Sequence, residues 1–96
     1  MLEAKMIDFE GKKLFAVKLE LPNAPLILIL YRDIIVGCSY LCTETMEKLG
    51  NAACIVKGVR TFEDLLNAEI KEATSKALEL GARKGMKVAE FLRTIR

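Results

Sequence analysis

Ile34-Ile35-Val36-Gly37-Cys38, then Thr43-Glu44 on to Gly50, then Ala53-Cys54-Ile55-Val56: these three pieces follow one another along the chain, and their reading decides the fold. The first and third are short runs that are apolar in both phases, the mark of strands covered on both faces. The piece between them carries helix punctuation. Thr43 is placed to cap the start, Glu44 complements the positive end of the helix dipole, and Gly50 ends the helix by accepting a left-handed backbone. Strand, helix and strand in that order make a β-α-β unit, whose strands run parallel through a right-handed crossover.

On the N-terminal side the chain reads as strands. Residues 2–10 and 13–21 flank Glu10-Gly11-Lys12, where Gly11 supplies the positive φ of a tight hairpin. Phe15, Val17, Leu19 and Leu21 alternate with Ala16, Lys18 and Glu20, the period-two pattern of a half-buried strand. In the first strand Leu2, Ala4 and Met6 share one phase while Ile7 and Phe9 take the other, which predicts a bulge. Pro22-Asn23-Ala24-Pro25 reads as a loop. Leu26 to Tyr31 and Ile34 to Cys38 then bracket a turn at Arg32-Asp33.

On the C-terminal side the pattern turns helical. Thr61 caps a helix, with Asp64 at the position of a capping-box partner. Asn67 caps the next, whose stripe is Leu66, Ile70, Ala73, Ala77 and Leu80, with Glu72 and Lys76 as an i,i+4 pair and Gly81 as the stop. A last helix gathers Val88, Phe91, Leu92 and Ile95 on one face. The expected fold class is therefore α/β (α+β): a mixed β-sheet with N-terminal antiparallel hairpins, one β-α-β unit and C-terminal helices, in a single domain over residues 1–96.

Bulk properties narrow the function classes. The 96 residues include 52% apolar side chains, above the usual share of about 45–50%, so disorder is excluded. Fifteen basic and thirteen acidic side chains leave a charge of +2, too balanced to point to nucleic acid or a membrane surface. The locally basic end (Arg83, Lys84, Lys87, Arg93, Arg96) reads as a solvated helix face with cations near a helix C-terminus. Nucleic acid is not an expected partner. The longest apolar run, Ala24 to Tyr31, falls far short of the roughly twenty residues of a membrane span. Met1-Leu2-Glu3-Ala4-Lys5 is charged where an export signal would turn apolar. Three cysteines without such a signal imply free thiols in the cytoplasm.

Chemistry has one natural address. Parallel strands bring their carboxyl ends to one edge, where ligands of open sheets gather. That edge joins Cys38, Ser39 and Tyr40 with Gly58, Arg60 and Thr61. Gly58 permits close backbone approach, Arg60 brings positive charge, and the helix start at Thr61 favours an anion, so a small anionic ligand is the expected occupant. A thiol is the alternative, since Cys42 precedes a helix N-terminus. The chain has no His, so no Cys-His nucleophile exists, and two cysteines alone make half a zinc site. Neither a metal nor a cofactor is expected.

Three stretches carry a family resemblance: Val36-Gly37-Cys38; Gly58-Val59-Arg60-Thr61 with Leu65-Leu66; and Leu80-Gly81 leading to Gly85-Met86. In this order the chain from Ile35 onward resembles the YunC-like family, a small bacterial and archaeal domain of unknown function. The resemblance implies a compact α/β fold and brings no reaction or catalytic residues. One departure is Lys87-Val88, where relatives tend to place a Ser-Gly pair.

The central runs need cover on both faces, yet every helix comes after residue 42. Helices lying on one face would leave the other greasy, and a large exposed apolar patch marks an interface. The expected state is a homo-oligomer, acting as a binding or regulatory module. A small enzyme working through Arg60 or a cysteine is the alternative.

Overall fold

The computed structural model describes residues 2–95. It contains strands β1 (Leu2–Phe9), β2 (Lys12–Leu21), β3 (Ala24–Tyr31) and β4 (Ile34–Cys38), helix α1 (Thr43–Leu49), strand β5 (Ala52–Val56), helix α2 (Phe62–Asn67), strand β6 (Glu72–Ala73), and helices α3 (Ser75–Glu79) and α4 (Val88–Thr94). The six strands form one sheet whose spatial order is the chain order, β1-β2-β3-β4-β5-β6. Every neighbouring pair is antiparallel except β4 and β5, which run parallel from Ile34↔Ala52 to Cys38↔Val56. The mixed sheet, the hairpins and the β-α-β unit are as the apolar runs and their punctuation imply.

Turn chemistry sets the hairpins. Glu10 and Gly11 both hold positive φ (51° and 89°), the requirement of the two-residue turn that matches strand twist. Lys12 consequently belongs to β2 and not to the turn. Pro22 and Asn23 suffice for the next reversal, with Asn23 at φ 77°; the expected four-residue loop shrinks to two, and Ala24 and Pro25 are already in β3.

Two predicted features of the first hairpin are corrected. No bulge interrupts β1: its register runs unbroken from Leu2↔Leu19 to Phe9↔Lys12. Its two apolar phases serve two different surfaces. Ile7 and Phe9 pack against the main core, while Leu2 and Met6 point to the other face. In β2 the stronger alternation is likewise not the buried one. Leu14 and Ala16 are fully buried, whereas Phe15 is 41% and Leu19 37% exposed.

The main core lies between one face of the sheet and the C-terminal helices. Leu14, Ile27, Ile29, Val36, Cys54 and Val56 meet Phe62 and Leu65 of α2 and Val88, Phe91 and Leu92 of α4. On the opposite face a smaller cluster, Met46 with Ala53 and Ile55, is flanked by Ile35 and Leu41. Helix α1 and Leu41 thus cover that face over β4 and β5. Leu41 Cδ1 fills the space above Gly37, where a Cβ would collide with it.

Over β1–β3 this second face has no helix. The register aligns it in three apolar rows: Leu2, Leu19 and Leu26; Ala4, Val17, Leu28 and Gly37; and Met6, Phe15, Leu30 and Ile35. Leu2 is 64% and Met6 58% exposed. An ion pair, Asp8 with Lys13 at 2.6 Å, closes the rows at one end.

The largest correction falls on residues 67–80. No continuous helix forms there. Asn67 ends α2, Ala68 is extended, and the chain runs along β5 as β6 before Thr74 caps the short α3. The 3.6-residue spacing was outweighed by backbone hydrogen bonds to other segments. Lys71 N–H donates to the Ile55 carbonyl at 2.8 Å, Thr74 N–H to Ala53 at 3.0 Å, and Ile70 N–H to Met86 at 2.8 Å. The first two satisfy an edge of β5 that would otherwise be bare, and the third ties Ile70 to the segment before α4. Glu72 does not pair with Lys76; its carboxylate accepts the Thr43 hydroxyl instead. Thr43 is therefore no cap, and Cys42 occupies the N-cap position of α1 without a side-chain hydrogen bond to the helix. Gly50 ends α1 at φ 78°, as expected.

Candidate functional site

At the carboxyl ends of the parallel strands the chain builds a small cavity of about 130 Å³. Cys38, Ser39 and Tyr40 leave β4 on one side, Gly58, Val59 and Arg60 follow β5 on the other, and Ala24 and Pro25 close it from β3. Five of the six residues expected at this edge thus line one space. Thr61 does not line it; its hydroxyl accepts the Asp64 N–H at 2.9 Å and starts α2.

The electrostatics differ from a bare anion hole. The Arg60 N–H donates to Asp64 Oδ2 at 3.2 Å, so Asp64 reaches back one residue beyond the capping-box partner. With Glu63 and Asp64 in its first turn, α2 already carries the negative charge its dipole attracts. The Arg60 guanidinium donates through Nη2 to the Asn23 carbonyl at 3.2 Å, and the Tyr40 hydroxyl donates to the Ala24 carbonyl at 3.4 Å. Cys38 Sγ, buried, accepts the Ile27 N–H at 3.5 Å. The polar groups here tie β3 to the two loops. What is left for a ligand is the unshared part of the guanidinium and the Ser39 hydroxyl.

The other thiols separate by environment. Cys42 is exposed, and the Thr45 hydroxyl donating to its Sγ at 3.3 Å holds its thiol below the usual range. Burial pushes the Cys54 thiol up to about 12, as befits a core residue. Among the described residues no three His, Cys, Asp or Glu side chains gather as a metal set. The basic C-terminal stretch is partly used internally. Arg83 Nη1 donates to the Leu78 carbonyl at 2.8 Å, and Arg93 Nε contacts both oxygens of Glu10 at 2.9 and 3.1 Å. Arg96 lies outside the described residues. Among the described residues no helix is long and apolar enough to cross a membrane.

A larger opening, which the reading of the chain did not anticipate, sits at the opposite end of the sheet. This cleft of about 600 Å³ lies where β4 and β5 begin. Its lining joins the Arg32-Asp33 turn, Gly50 and Asn51 after α1, and Lys76, Glu79 and Leu80 of the α3 region. Its one local signal in the sequence is Arg32. A two-residue turn favours Gly, Asn or Asp where φ is positive, and here an arginine holds φ 54°.

Comparison with known proteins follows the fold. A search of curated proteins found no match. Among solved structures, a protein of unknown function from Thermoplasma acidophilum superposes with a TM-score of 0.93 at 32% identity, over 100% of this chain and 94% of its own. Residues 37–95 match the family model described as a domain of unknown function, DUF1805. That span begins inside β4 and takes in the β-α-β crossover, both loops of the Cys38–Arg60 cavity and every helix, so the chain belongs to the DUF1805 family.

Proposed function

We propose that this chain is a single YunC-like domain that works in the cytoplasm as a homo-oligomeric binding or regulatory module. The carrying observation is the bare apolar face of β1–β3. Its three rows expose on the order of 500 Å² of apolar surface, as large as the biggest patch an ordinary monomer carries. Two such faces brought together bury on the order of 1,000 Å², the lower bound for a specific interface. A second copy of this chain suits the face because the rows hold no charge of their own and the flanking Asp8 and Lys13 are already paired. An isologous contact then meets no unpaired ion. Free thiols at Cys38, Cys42 and Cys54 support the reducing compartment.

Light scattering at micromolar concentration tests the reading. The expected result is a dimer or higher closed oligomer, converted to monomer by Phe15→Asp. Phe15 lies outside both buried clusters, so the variant keeps its circular dichroism spectrum. A wild-type monomer at that concentration would overturn the proposal.

A small anionic ligand in the Cys38–Arg60 cavity is the second reading. It is supported by Arg60 standing at the rim of a space of about 130 Å³, with the guanidinium rather than the helix start as the anion's partner. An enzymatic role through Arg60 or Cys42 has less support, because Asp64 beside Arg60 is engaged with its backbone N–H and the sequence has no His to serve Cys42 as base.

A further inference from the structure

The cleft at the amino ends of β4 and β5 combines an apolar floor with side chains of both charges. Its floor is apolar and closed: Ile34 and Ala52, the first pair of the parallel register, are 3% and 6% exposed. Around that floor stand two cations, Arg32 and Lys76, and two carboxylates, Asp33 and Glu79. None of the four forms an ion pair among the described residues. The ion pairs of the described residues stand at other places: Lys5 with Glu3, Lys13 with Asp8, Lys18 with Glu20, and Arg93 with Glu10. In the cleft the signs balance without cancelling one another inside the protein.

Asn51 adds direction. Its backbone is held at both ends, the N–H donating to the Met46 carbonyl at 2.9 Å and the carbonyl accepting the Thr74 hydroxyl at 2.7 Å. Its half-buried carboxamide has no hydrogen-bond partner among the described residues, leaving two donors and an acceptor beside the cleft. Apolar cover comes from Leu30, Ile35 and Leu80. Arg32 keeps a left-handed backbone that glycine would adopt without strain. Its guanidinium stands over the Tyr31 ring, 5.5 Å from the centroid, which holds the charge at the turn.

We propose that this cleft binds a small zwitterion with an aliphatic body, of amino-acid to dipeptide size. The ligand carboxylate meets Arg32 and Lys76, its ammonium meets Asp33 and Glu79, and its side chains rest against Leu30, Ile35 and Leu80. Asn51 fixes the orientation. A ligand of one charge gains from one pair of residues and loses to the other, so both charges are needed. A cleft of about 600 Å³ lies within the usual range for small-molecule sites. The site adjoins the assembly proposed above, sharing Leu30 and Ile35 with the third row of the apolar face, while its charged groups and Asn51 lie beyond the rows and come from one chain.

Amide chemical shifts read by NMR during titration with free leucyl-leucine test this, in the wild type and in Leu19→Asp, a change in the row farthest from the cleft, so that assembly does not enter. The expected result is saturable shifts at Gly50, Asn51 and Ala52 at millimolar ligand or below. The N-acetyl dipeptide lacks the cation and the dipeptide amide lacks the anion; each should bind at least about tenfold more weakly. Arg32→Gly should melt no lower than the wild type yet lose at least about tenfold in affinity, and Lys76→Ala should lose affinity likewise. The proposal is overturned if the free dipeptide gives no saturable shifts at these residues. Equal binding of the capped forms, or full affinity in Arg32→Gly, would overturn it as well.

Discussion

Replacing Thr74 by valine removes one oxygen and keeps the shape of the side chain. Thr74 is 1% exposed, and its hydroxyl holds three segments together. It donates to the Asn51 carbonyl at 2.7 Å and accepts the Ala53 N–H at 2.9 Å and, more weakly, the Ala77 N–H at 3.4 Å. Valine fills the volume but leaves these groups without a partner. Ala53 is fully buried, so its N–H finds no water, and an orphaned buried donor costs about 1–3 kcal/mol. Loss of the α3 cap adds about 1 kcal/mol. The expected destabilisation is about 3 kcal/mol, which for a domain of this size lowers the melting temperature by roughly 12–24 °C. Thr74→Ser separates the hydroxyl from the methyl: it keeps all three hydrogen bonds and should lose only about 1 kcal/mol. Thermal and urea unfolding measure both variants. A Thr74→Val protein within about 0.5 kcal/mol of wild type, or a serine variant as unstable as the valine one, would refute the hydroxyl's role.

Two further outcomes follow from ionisation. Iodoacetamide near neutral pH should label Cys42 first and alone, because Thr45 favours its thiolate while Cys38 and Cys54 are buried; mass spectrometry counts the adducts, Thr45→Val should slow the labelling, and comparable labelling of all three sites would contradict the assignment. Asp8 is held below the usual carboxylate range by the Lys13 ammonium and the Gly11 N–H, and Glu47 by the Ser75 N–H. Both ionise more readily in the folded chain, so the stability they contribute is whole above about pH 5, clear of the ordinary carboxyl range, and drains away as the pH falls through that range and then through their lowered folded values. Melting curves should therefore fall in acid, and the fall should flatten in an Asp8→Asn, Glu47→Gln double variant; an unchanged slope would show that these contacts do not matter.

What the chain disclosed in advance depended on how local the deciding force was. Gly50 and Thr61 act on their own backbone neighbourhoods, and the apolar runs at Leu26–Tyr31 and Ile34–Cys38 are strands whatever surrounds them. The β-α-β unit and the meeting of Cys38 with Arg60 follow from those. The segment from Asn67 to Leu80 is different. Its apolar spacing fits a helix, but the free edge of β5 and the carbonyl of Met86 took its N–H groups, and nothing within the segment announces either partner. The phase of β2 misled for a related reason. Phe15, Val17 and Leu19 form the more regular stripe, yet the core took Leu14 and Ala16 because α4 lies on their side of the sheet. The cleft beside Asn51 escaped notice because its parts come from three separated places, brought together only when α3 settles at the start of β5.

The strand order carries a consequence for how the molecule is made. Since each of the first four strands lies beside the one synthesised just before it, the meander can zip up residue by residue as it leaves the ribosome, with short loop closures throughout. Its lid arrives last. Phe91 and Leu92 seal a core whose other wall, Leu14 and Ala16, was laid down some seventy-five residues earlier. During that interval the nascent sheet is oily on both sides. Packing of α4 covers one of those sides, with Phe91 and Leu92 against Leu14 and Ala16, and leaves the other apolar.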